Sequence, residues 1–157
     1  MLLVLIVGFA ILSATGGNHT LRSVTYAQVP PNSGNHSPVW QNCGFYSEPV
    51  GDEHAVHSLE HGVVWITYRP DLPADQIDLL RDFTAGQEHL IVSPYPDLPA
   101  LIIASAWGHQ QRFDTLDMAA LEILVQDLRN SPDAPEPGGS CEGPNIWFSG
   151  GTGNPEN

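Results

Sequence analysis

Asp52-Glu53-His54-Ala55-Val56-His57-Ser58-Leu59-Glu60-His61-Gly62, followed directly by Val63-Val64-Trp65-Ile66-Thr67-Tyr68, is the stretch from which the fold is read. Asp52 suits an N-cap and Gly62 suits the residue just past a helix end, which leaves room for about two and a half turns between them. In a helix His54, His57 and His61 fall at i, i+3 and i+7 and share one face. The run that follows is β-branched and aromatic and stops at Arg69-Pro70, so it predicts a buried strand. A helix passing straight into a core strand points to a mixed α and β domain.

Outward toward the C-terminus, residues 72–83 carry apolar side chains at Leu72, Ile77, Leu80 and Phe83, with acids early and Gly86 beyond: an amphipathic helix. Residues 90–93 predict a strand stopped by Pro94, and 94–99 a turn. Residues 101–107 predict a second strand, antiparallel to 90–93, continuing through Gly108 to Phe113. Residues 116–128 predict a helix, with Leu116, Ala120, Leu124 and Leu128 spaced by four, Leu121 and Val125 beside them, and Asp114 or Thr115 as cap. Past Asn130 the chain is rich in Pro, Gly and Ser and predicts no regular structure. Cys141, Trp147 and Phe148 dock it, and 149–157 reads as a disordered tail. On the other side, residues 28–51 are turn and loop chemistry that lays Trp40, Phe45 and Tyr46 across the core. The expected fold is α+β over residues 28–148, with a small mixed or antiparallel sheet and two main helices besides the histidine segment. The helices are expected on one face, with long Pro/Gly-rich loops. Thioredoxin-like and ferredoxin-like sheets both fit this order. There is no Cys-x-x-Cys, so thioredoxin chemistry is not supported.

The chain of 157 residues is long enough for one domain with a core. Eighteen acids stand against five arginines, with no lysine, for a net charge of −13. Phosphates are repelled by such a surface, which excludes nucleic acid as partner. Residues 2–14 are an uncharged apolar run, short for a bilayer span. They fit a signal peptide or an N-terminal membrane anchor, so residues 1–27 are set outside the fold, with a cleavage point after Ala27. His19 goes with them. An even cysteine pair, Cys43 and Cys141, in an exported chain reads as a disulfide before two unrelated thiols, closing a loop of about 100 residues.

Neutral imidazoles ligate zinc and copper, and two at i and i+4 on a helix reach one ion; His57 and His61 have that spacing. His36, in the Ser-Gly-Asn-His-Ser-Pro turn, is the expected third ligand, with His54 the local alternative. His89 and His109 flank strands and read as surface histidines. His57-Ser58-Leu59-Glu60-His61 also matches the inverted zincin pattern, in which the glutamate activates a zinc-bound water. That pattern needs a longer helix than Gly62 allows, so Glu60 reads first as an acid steadying a histidine ring. Asn18-His19-Thr20 and Asn35-His36-Ser37 match the glycosylation sequon, a pattern too short to carry weight.

The sequence resembles the bacterial domain of unknown function family numbered 3105. The resemblance rests on Pro31-Asn32-Ser33-Gly34-Asn35-His36, Gln41-Asn42-Cys43-Gly44, Tyr46-Ser47-Glu48-Pro49-Val50 and above all Val56-His57-Ser58-Leu59-Glu60-His61-Gly62. Ala106-Trp107-Gly108 and Pro135-Glu136-Pro137-Gly138 agree, and about residues 28–141 are covered. It implies an extracytoplasmic domain, often behind an N-terminal membrane segment, with His36, His57 and His61 as characteristic histidines and Cys43 paired with Cys141.

The expected function is an exported or membrane-tethered metal-binding domain. His36, His57 and His61 hold copper, or else zinc, for metal delivery or support of a membrane redox complex. The first alternative is a zinc-dependent hydrolase using His57, Glu60 and His61. The second is a structural subunit of a membrane-associated assembly.

Overall fold

The computed structural model describes residues 17–143 and 155–156. The apolar run at 2–14, and Trp147, Phe148 and most of the expected tail, lie outside the described residues. No helix among the described residues is long and apolar enough to cross a membrane.

The central strand is β2, Val64–Tyr68, buried at every position. A strand that meets packing on both faces is a continuous apolar run rather than an alternating one, as here. Before it come β1, Gly44–Phe45, and α1, Asp52–Glu60; after it come α2, Ala74–Thr84, β3, Leu90–Pro94, β4, Ile102–Ala106, β5, His109–Phe113, and α3, Met118–Leu128. The five strands form one mixed sheet in the order β1-β3-β2-β4-β5. β1, β3 and β2 run parallel, while β4 is antiparallel to β2 and β5 to β4. The fold is α+β, and the strand order is compatible with a thioredoxin-like arrangement.

Two expectations are corrected. β3 and β4 do not pair with each other; both pair with β2, from opposite sides, Trp65 facing Ile91 and Ser105. The proline-rich segment between them crosses the end of β2 instead of folding into a hairpin. Tyr95 donates its N–H to Tyr68 and Arg69 donates to Leu101, so both ends of the crossing are tied to the same strand end. Leu98, Ala100 and Ile103 form a small cluster of their own under it. The helices also cover both faces of the sheet. Val64, Ile66 and Tyr68 pack with Leu80 of α2 and with Leu121 and Val125 of α3. Trp65 points the other way, against Ala55, Val56 and Leu59 of α1 and against Trp107.

The end of α1 sets up the site. Gly62 N donates to Leu59 O and Val63 N to Ser58 O, which together form a Schellman motif around Gly62 at φ 87°. A Cβ at Gly62 would lie 2.8 Å from Asn130 Cα, closer than non-bonded atoms tolerate. At its start α1 is capped by Gly51, with Asp52 inside the first turn accepting from Tyr95 Oη at 3.1 Å. Burial pushes the Asp52 carboxyl above its ordinary range, with Glu53 adding to this and Tyr95 opposing it. α3 starts later than expected: Asp117, not Asp114 or Thr115, caps it by accepting from Ala120 N. Cys43 and Cys141, 98 positions apart, are joined by a disulfide. It pins the segment after Asn130 along the end of α1, where Glu136 N donates to Glu60 O and Gly138 N to His61 O.

Candidate metal centre

His57 and Glu60 lie three positions apart on α1 and face the same way. His36 arrives on the turn before β1, where Gly34 takes a φ of 109°. That turn is sewn onto α1: Ser37 N donates to Glu53 O, and the amide of Gln41 reaches Ser58 Oγ at 2.9 Å. His19 comes from further back, on an arm that pairs with the same turn as a short parallel bridge, His19 beside His36. Thr20 N donates to His36 O at 2.7 Å, and His36 N to Asn18 O at 3.2 Å.

One donor atom from each of His19, His36, His57 and Glu60 lies within 4.8 Å of every other. Glu60 Oε2 is 2.9 Å from His36 Nε2 and 3.8 Å from His19 Nε2. The His19 ring stacks on His57 at 4.8 Å, and the His36 ring sits 4.9 Å from His57. His36, His57 and Glu60 are buried, His36 completely.

The tautomers follow from the carbonyls. His36 Nδ1 is 2.9 Å from Gly34 O and His57 Nδ1 is 2.7 Å from Ser37 O. A carbonyl oxygen only accepts, so each Nδ1 carries a proton and donates it; in the neutral ring the lone pair is then on Nε2. Metal-bound histidines show this arrangement, the far ring nitrogen held by a backbone carbonyl. His36 Nε2 is nevertheless buried without a hydrogen bond, since its short approach to Glu60 lacks the angles of one. With the ring neutral, the Nε2 lone pair faces a carboxylate oxygen, and two acceptors at that distance are reconciled by a cation between them, a proton or a metal ion. His57 is kept neutral by its surroundings. Burial lowers its pKa to about 4; the Ser37 carbonyl opposes this, and the His61, His36 and His19 imidazoles reinforce it.

The other expected residues have different surroundings. His61 caps α1 and donates Nδ1–H to Ser140 O at 2.8 Å; its Nε2 faces Glu136 at 3.7 Å. Its ring is 4.7 Å from His57, with Trp40 lying 4.9 Å from it, but it is not one of the four clustered donors. In the hydrolase arrangement Glu60 stands beside an ion held by His57 and His61; here its carboxylate is one of the donors. His54 is spent on Val39 O at 2.7 Å, and His89 on Gly139 O at 2.9 Å. His109 pairs with Asp133 at the surface. Trp65 is core, while Trp107, also buried, stands edge-on to His36 at 6.0 Å.

Residues 19–143 match the family model described as protein of unknown function (DUF3105). The chain belongs to that family. No curated protein and no solved structure matches it significantly. The matched region of this DUF3105 chain begins at His19, the donor set aside in the sequence with the apolar leader. A signal for it was present: Asn18-His19-Thr20 and Asn35-His36-Ser37 share one pattern, and these two tripeptides are the ones that pair.

Proposed function

We propose that this DUF3105 domain binds a divalent transition-metal ion through His19, His36, His57 and Glu60. The set keeps His36 and His57 of the expected trio, adds His19 and Glu60, and leaves His61 beside it. Copper(II) comes first and zinc(II) second. Imidazole suits both, copper(II) heads the divalent affinity order, and a carboxylate with no thiolate or thioether is a poor match for copper(I). The observation that carries the reading is the approach of His36 Nε2 to Glu60 Oε2, a buried imidazole nitrogen and a carboxylate oxygen 2.9 Å apart with no hydrogen bond between them. The bound ion supplies positive charge between them. The protein supplies rings already turned by their carbonyls and a site walled by Trp107 and Trp40.

The biological role proposed is metal delivery, or support of a membrane redox complex, outside the cytoplasm. The disulfide supports that location, because such bonds persist in oxidising compartments. An N-terminal segment retained as an anchor keeps His19 on the chain, whereas cleavage after Ala27 removes it.

Titration of metal-stripped protein with copper and zinc, followed by elemental analysis, tests the reading. One ion per chain is expected, with binding sharply weakened in His57→Ala and Glu60→Gln and unchanged in His109→Ala. Absence of uptake, or uptake indifferent to the first two changes, overturns it.

A further inference from the structure

The four donors are not held alike. His36 and His57 are buried and each is locked through Nδ1 by a carbonyl. Glu60 sits on a helix whose C-terminal turn is fastened by the 136–138 segment. The side chain of His19 is 54% exposed, and among the described residues no acceptor fixes its Nδ1. The arm bearing it is tied on by a few polar links. These are the two amides shared with His36, Asn18 N to Asn35 Oδ1 at 3.0 Å, Val24 N to Glu53 Oε1 at 2.9 Å, and Tyr26 Oη to Asn35 O at 2.6 Å. Tyr26 packs against the cluster around Val56, but ahead of it the arm buries little apolar surface, since Leu21 is 93% exposed and Arg22 and Ser23 are exposed too. Segments with few buried apolar contacts and solvent-reachable hydrogen bonds open first.

The geometry points to His19 as the exchangeable ligand of this centre. The arm at 17–20 caps the ion, and when it lifts, the vacated position takes an external donor from solvent or from a receiving protein. This inference rests on the metal reading above and adds to it a side of entry and exit. His36, His57 and Glu60 stay on the ion during exchange, and no bond beyond the metal–ligand ones is made or broken. The ligand accepted there is a small Lewis base, an imidazole or an anion such as azide.

The test uses the full chain loaded with copper(II), with wild type compared to His19→Ala and circular dichroism confirming that both are folded. His19 is exposed, so its removal leaves the core untouched. The variant should still load one ion, should lose it to a chelator faster by about tenfold or more, and should recover slow release when imidazole is added. Azide should give its charge-transfer band with copper in both proteins, needing a higher concentration in wild type because it must displace the arm. A variant that releases copper at the wild-type rate shows that His19 is not a ligand and overturns the inference. So does a variant that takes up no copper, or a wild-type protein in which azide never reaches the metal. If wild type itself loads no copper or zinc, the metal reading fails and this one with it, a result distinct from the other three.

Discussion

The Nδ1–H of His57 and the carbonyl of Ser37 meet at 2.7 Å, and through this bond the proline-bounded turn sets the ring orientation on α1. They stand 20 positions apart in sequence, yet the turn carrying one donor thereby aims another. Orientation by a carbonyl of this kind contributes about 10–100-fold to metal affinity where it has been removed in other sites. A change that shifts residues 36–38, such as deletion of Pro38, is expected to weaken metal binding by that order without touching a ligand. Isothermal titration of the variant checks it.

His57 leads to a pH prediction for the metal-free protein. Its folded pKa is about 4, against 6.5 for an ordinary histidine. Between those values the unfolded chain binds a proton there that the folded chain refuses, so stability falls as pH drops through 6.5 and levels below about 4. Denaturant unfolding in chelator across that window should show this slope, reduced by roughly one proton in His57→Gln. Equal slopes in both proteins would contradict the account.

Glu60→Gln separates metal binding from folding. The amide can donate to His36 Nε2 and so satisfies a lone pair that the carboxylate leaves bare. Metal-free E60Q should be more stable than wild type by about 1 kcal/mol, while its metal affinity falls by tenfold or more. Thermal melts with and without metal read both; a loss in each would mean that a proton already joins the native pair.

Gly62→Ala should cost about 1–3 kcal/mol through its left-handed backbone alone, and more because the new methyl runs into Asn130. Metal uptake should suffer less than stability, since His57 and Glu60 precede the turn. Urea denaturation and elemental analysis on the same preparation distinguish the two effects.

Loss of the disulfide, in the double change Cys43→Ser and Cys141→Ser, should lower stability by about 2–4 kcal/mol. Reductant should reproduce that in wild type and have no effect on the double variant. Equilibrium unfolding with and without reductant checks both.

Local chemistry made most elements legible. The Schellman turn at Gly62, the apolar run of β2 and the four-spaced leucines of α3 are signals confined to a few neighbouring residues. The pairing of β3 with β2 rather than β4 was not legible, because parallel strands are matched through a crossover helix and leave no mark in the segment between them. The histidine pair on α1 stood out by spacing, but only folding shows that His61 turns to Ser140 and that Glu60 reaches His36. His19 sits close behind an apolar leader, which gives it no local signal; its pairing with His36 is a contact across 17 positions.

The bond between Cys43 and Cys141 closes a ring of chain that contains His57 and Glu60 but neither His36 nor His19. A protease cutting once anywhere inside that ring leaves a single covalently joined molecule, with all four side chains still on one body. A single cut at 38–42 instead frees the fragment bearing two of the four. The short tether between Ser37 and Cys43 is therefore the one place where one enzymatic scission splits the cluster into halves that can diffuse apart.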